Sequence, residues 1–193
     1  MTSRFDFNKL KSIDPKIKYG FAKELLKIGA ESPQQLYTHF DYLLTLLDEK
    51  NNILKWTGID LMGYLSSIDQ GNKIDGFIQP LIKLLHGGHL INCNHATFAL
   101  GLIAQNKPQF KNQIFKELLL VDQDFFDTNE CKNIAIGKVL EVFKTLIDDI
   151  MQYKEAIDFI NRTTENSRNA TKRKAILLLN KIKKIQLETK DKY

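Results

Sequence analysis

A chain of 193 residues, 43% apolar and 26% charged, has the composition of a folded globular protein and not of a disordered one. No apolar run approaches the ~18 residues needed to cross a bilayer, and Met1–Asn8 lacks an apolar signal core, so the expectation is a cytoplasmic protein with no membrane role. The net charge of +5 is uneven: residues 162–193 hold ten Lys/Arg against three Asp/Glu, whereas residues 1–161 hold eighteen against twenty.

Asp14-Pro15 opens a first helix, with Asp as the cap and Pro in the first turn. Pro33–Asp48 reads as a second, because Leu36, Phe40, Leu43, Leu44 and Leu47 keep the three-and-four spacing of one helical face. Glu49–Asn52 is a turn in which Asn51 or Asn52 caps a third helix, Ile53–Ile68. Next come Lys73–Leu85, with a kink expected at Pro80, and Ile91–Gln105, split by Gly87-Gly88. Pro108–Leu120 and Thr128–Ile147 form a further pair. Ile150–Thr164 and Asn169–Lys184 form the last, before a polar tail at about 186–193 expected to fray. Nothing alternates with period two for long enough to argue for a sheet. The prediction is an all-α chain.

Five blocks can be laid over one another: Lys18–Ala22, Lys55–Ile59, Asn94–Phe98, Lys132–Ile136 and Lys172–Ile176. Their first residues lie 37, 39, 38 and 40 positions apart. A period of this length with helical patterning predicts stacked helix pairs, an outer A and an inner B helix, each pair needing neighbours to cover its apolar face. The pattern resembles the HEAT/armadillo-like repeat proteins from about Asp14 to Lys184, most closely in Phe98-Ala-Leu-Gly-Leu-Ile103. Small residues there let helices approach, and Gly63 and Gly137 fit the same purpose. The resemblance implies one domain, 1–193, of about five repeats: a right-handed, curved α-solenoid whose B helices line a concave, macromolecule-binding side. The usual Pro early in helix A is present only at Pro33 and Pro108.

The first aligned column is Lys18, Lys55, Asn94, Lys132 and Lys172, and the next is Tyr19, Trp56, His95, Asn133 and Arg173. A cation in the first turn of a helix opposes the dipole by about 0.3–1 kcal/mol, so helix propensity does not explain four lysines there. They read as a basic and aromatic ladder for phosphates or an acidic protein segment. The alternative is lysine stems packed on apolar surface with their amines in water or on a neighbouring carboxylate. Trp56 and Asp60 are four apart and share a face; the pair resembles one in HEAT-like DNA glycosylases, which implies a carboxylate that stabilises positive charge on a sugar.

His86, His89, Cys93 and His95 form the only metal-like cluster, but His95 points away from Cys93 on a helix and no second Cys pair exists. Cys93 and Cys131 occupy equivalent sites in adjacent repeats, where helix axes about 8–10 Å apart exceed disulfide reach, so free thiols are expected. Asp122, Asp124, Asp127 and Glu130 flank Phe125-Phe126; the expectation is that both rings pin the loop while the acids face solvent, with an acidic-aromatic docking loop as the alternative. The C-terminal excess, including Arg168, Lys172 and Arg173, suits nucleic-acid backbone or a solvated terminal repeat. No phosphate-cradling Gly loop, nucleophile elbow or His-Glu-x-x-His motif occurs.

The leading expectation is a non-enzymatic scaffold that needs no cofactor or metal and binds a protein partner on its B-helix surface. A nucleic-acid backbone binder is the alternative, and a glycosylase-like enzyme at Trp56 and Asp60 is the third reading.

Overall fold

The computed structural model describes residues 5–190, which are all-α: 81% helical, with eleven helices and no strand among the described residues. They are α1 (Pro15–Glu31), α2 (Gln34–Tyr37), α3 (Phe40–Thr45), α4 (Asn52–Leu65), α5 (Ile78–Leu85), α6 (Leu90–Asn106), α7 (Pro108–Leu120), α8 (Asn129–Thr145), α9 (Ile147–Ile150), α10 (Lys154–Thr163) and α11 (Asn169–Lys190). The starts follow the expected chemistry. Asp14 accepts from the Lys16 amide, Asn51 from the Ile53 and Leu54 amides, and Thr128 from the Cys131 amide.

The long helices form a row in chain order: α1 packs on α4, α4 on α6, α6 on α8, and α8 on α11. Glycine sets how closely they meet. A methyl group added at Gly63 would lie 2.9 Å from the Ala99 Cα, one at Gly101 2.8 Å from Val142, and one at Gly137 2.9 Å from the Thr171 hydroxyl. Gly29 does the same against Leu61 at 2.8 Å, a joint that sequence reading missed. The shorter segments lie against this row: α3 on α4, α5 and α7 on α6, and α10 on α11. Leu36, Phe40, Leu43, Ile114, Phe115, Leu118 and Phe159 are buried between them.

Two local expectations are corrected. Pro80 does not kink a long helix, because residues 73–77 are 3-10 and α5 begins at Ile78. Pro80 thus falls in the first turn, where its missing N–H is not needed. Helix α11 runs through 186–190, with Ile185 partly buried against the core and Lys184 paired to Glu188 at 3.7 Å; residues 191–193 of the expected tail lie outside those described. In the loop before α8 only Phe126 is buried, at 5% exposure, while Phe125 is 84% exposed. Three of its four acids are also engaged: Asp122 pairs with Arg162, Asp124 with His86 and Glu130 with Arg168, while Asp127 is exposed.

Two features have no counterpart in the sequence reading. Phe5 and Leu10 are buried, and the Phe7 ring sits 6.1 Å from Phe21 and 4.4 Å from Tyr42, so the N-terminal segment covers the start of the row. Lys107 is buried with its ammonium 2.9 Å from Asp69, 2.8 Å from Asp75 and 3.0 Å from the Asn72 side-chain oxygen. Asp69 also accepts from the Tyr37 hydroxyl at 2.6 Å and from the Lys73 and Ile74 amides at 2.9 Å each. This network ties the segments before α4, α5 and α7 together.

Candidate functional site

The residues selected in α4 and α6 meet. Trp56 and His95 stack with ring centroids 5.4 Å apart and planes 9° from parallel. The Trp56 indole N–H donates to the Asn92 side-chain oxygen at 2.8 Å, which fixes the ring. His95 Nδ1 lies 2.8 Å from the Asp60 carboxylate. Since a carboxylate only accepts, Nδ1 carries the proton in this contact and Nε2 is left for solvent or a ligand. Asp60 and His95 side chains keep 15% and 28% exposure, so the pair is sheltered without being closed off.

This cluster opens onto a cleft of about 350 Å³ lined by Leu26, Asp60, Tyr64, Asn94, His95, Phe98 and Lys138. A second cavity of about 240 Å³ adjoins it, shares Phe98 and Lys138, and continues past Gly101 and Glu141 to Thr145. Together they make one groove across α1, α4, α6 and α8. Tyr64 meets Phe98 edge-on at 5.4 Å, and the Lys138 ammonium lies over the Phe98 ring at 6.0 Å. Glu141 accepts from Lys138 at 2.8 Å and from Lys174 of α11. Burial pushes the Glu141 carboxyl up, but the two ammonium groups outweigh it and hold the group below its ordinary range. Burial, and then the charge of Asp60, raise the Tyr64 phenol, so it is protonated and able to donate at neutral pH. The groove is therefore aromatic-walled, with both signs of charge on its rim.

The remaining ladder residues do not join this cluster. Tyr19 accepts a hydrogen bond from Asn51 at 3.0 Å. Lys132 donates to the Asp122 carbonyl at 3.2 Å, Lys172 pairs with Glu165 at 3.4 Å, and Arg168 pairs with Glu130 at 2.7 Å. Lys18, Lys55 and Arg173 have no ion-pair partner among the described residues, and Arg173 is exposed. The metal-like residues are likewise dispersed: His86 lies between Asp124 at 2.8 Å and Glu117 at 3.1 Å. Cys93 is buried, and its thiol is pushed up to about 12 by burial. Both cysteines are free, and no group of three metal-ligating side chains is gathered among the described residues.

Apart from Asp60, the candidate binding residues chosen from the sequence lie near the starts of the long helices. Tyr64 lies two helical steps of four beyond Trp56, and Phe98 one such step beyond Asn94, so both continue faces already selected. Lys138 and Glu141 gave no such sign, since their role depends on which face of α8 turns toward α6.

No family model and no curated protein matches the chain. Among solved structures, it is similar to an engineered protein of known crystal structure, with a TM-score of 0.48 and 15% identity over 92% of this chain and 94% of that one.

Proposed function

We propose that this protein is a non-enzymatic, HEAT-like binding module, a right-handed solenoid of about five helix pairs that holds a segment of a protein partner along the groove of its long helices. The observation that carries the reading is the continuity of the groove over four successive helices. A ligand laid along it gains from each repeat, which is how a stacked array earns affinity that no single pair provides. Aromatic walls with a rim of mixed charge suit a polypeptide, whose side chains alternate in character, better than a uniformly anionic phosphate backbone. The carboxylates of Asp60 and Glu141 on that rim would repel phosphates. Asp60 is hydrogen-bonded to His95, which argues against a free carboxylate beside a sugar. Free thiols at Cys93 and Cys131 fit a cytoplasmic location.

Photo-crosslinking tests the reading. A benzophenone amino acid replaces Leu102, which lines the groove, or Lys116, which is exposed on α7. In lysate of the native cell, the groove position is expected to yield a discrete protein adduct that survives nuclease treatment, with none at Lys116. A nuclease-sensitive adduct at Leu102, or equal labelling at both sites, would refute it.

A further inference from the structure

We propose that the outward face of α11 is a docking site for an acidic amphipathic helix of a partner protein, which adds one more helix to the row. Each earlier long helix carries its successor, and the α8·α11 joint shows how. Asn133 of α8 bonds to Ser167 at 2.9 Å and to Asn166 at 2.8 Å, Gly137 admits Thr171, and Glu141 receives Lys174. In the register of the aligned blocks Asn133 corresponds to Arg173, so the equivalent strip of α11 is Arg173, Leu177 and Lys181.

That strip is exposed. Ala175, Leu178 and Ile182 of α11 are buried against the body, whereas Leu177 is 69%, Leu187 63% and Ile176 37% exposed. Arg173, Lys181 and Lys183 have no ion-pair partner among the described residues, in contrast to Arg168, Lys172 and Lys174 on the same repeat. The first helix of the row differs in being covered by the chain's own Phe5–Lys11 segment.

Chemistry selects the occupant. Lys181 stands where α8 has Glu141, so the incoming helix needs a carboxylate where α11 offers Lys174. Leu177 replaces Gly137, so the incoming helix needs a small residue opposite it to keep the usual axis separation of about 8–10 Å. A second copy of α11 would set cation against cation.

The test uses a fluorescein-labelled synthetic helix of about 20 residues, with Ala and Leu along one face and Glu on both flanks, read by anisotropy. Saturable binding is expected. Leu177→Asp and Lys181→Glu are each expected to weaken it about tenfold, and Lys116→Glu to leave it unchanged. All the altered residues are exposed, and an unchanged circular dichroism melt confirms folding. Absence of saturable binding overturns the proposal, as does equal binding of a scrambled peptide of the same composition or indifference to Leu177→Asp. Tighter binding of a duplex oligonucleotide, or of vesicles containing anionic phospholipid, to the same face overturns it in favour of a phosphate ligand.

Discussion

Two aspartates, nine residues apart, anchor polar clusters between neighbouring helical segments, and their surroundings differ in kind. The Asp69 side chain is fully buried and accepts from a hydroxyl, two amides and the Lys107 ammonium. Among the described residues Asp60 makes one side-chain hydrogen bond, to a partly exposed histidine at the mouth of a cleft. The charged groups of the first cluster are already committed to one another, although Asp69, Asn72 and Lys107 border a polar cavity of about 300 Å³. The second leaves His95 Nε2 and the Tyr64 hydroxyl without a hydrogen-bond partner among the described residues, beside the edge of Phe98. Buried polar networks with every group satisfied specify structure, whereas sheltered ones with spare valence are where binding is sought.

The sharpest way to break this distinction is to cut each cluster. Lys107→Ala leaves Asp69 and Asp75 without their ammonium and is expected to cost about 3–5 kcal/mol in urea unfolding. Asp60→Asn keeps an acceptor for His95 and is expected to cost less than about 1 kcal/mol. Equal losses would erase the difference. The buried cluster also has a pH signature. Burial opposes the Asp69 charge, but its hydrogen bonds from Tyr37, Ile74, Lys107 and Lys73 prevail and hold the carboxyl below its ordinary value of 3.8. A depressed carboxyl contributes fully above the unfolded value and loses its contribution as pH falls through the folded one. Burial likewise opposes the Lys107 charge, yet Asp75 and Asp69 raise the group above 10.5, so its contribution is whole below that value and fades at higher pH. Stability is thus expected to drop in acid below about pH 3.8, and Asp69→Asn to flatten part of that limb while lowering the neutral plateau.

A second, smaller effect concerns the packing beneath the groove. In Gly63→Ala the new methyl meets the Ala99 Cα at 2.9 Å, backbone that cannot swing aside. Overpacking of about 1–3 kcal/mol is expected to exceed the roughly 1 kcal/mol of helix propensity gained. Gly20 in α1 has nothing within 4 Å of the same added atom, so Gly20→Ala is expected to stabilise by about 0.5–1 kcal/mol. Destabilisation by both, or by neither, in parallel thermal melts would show that close approach does not set the row's spacing.

The long helices were legible because each carries a block repeated at a regular period, and α1, α4 and α8 also carry a side-chain cap: α1 begins at Pro15 behind Asp14, as the pattern predicts. The A side was less so. A continuous helix over Pro33–Asp48 is in fact α2, α3 and a 3-10 turn, broken where His39 leaves helical geometry, because tertiary contacts of Leu36, Phe40 and Leu43 fix these residues more firmly than propensity does. Trp56, Asp60 and His95 were found through their register, and the structure brings them together. Asp69 and Lys107 were invisible, since a buried ion pair across 38 positions leaves no local pattern.

The smallest expected effect separates lysines that share an aligned column but not an environment. The Lys55 ammonium has no hydrogen-bond or ion-pair partner among the described residues, so Lys55→Ala is expected to change stability by less than about 0.5 kcal/mol, as at ordinary surface sites. Lys132 donates to the Asp122 carbonyl, on the same residue whose carboxylate holds Arg162. Lys132→Ala therefore removes a charged donor from the loop before α8, and about 1 kcal/mol is expected. In partner binding the order should reverse, because an uncommitted ammonium is free to meet an acidic group, whereas the Lys132 amine must first give up its carbonyl. Urea titrations beside affinity measurements with the partner captured at Leu102 decide the matter. A Lys55→Ala variant as destabilised as Lys132→Ala, with binding untouched, would make the whole column structural.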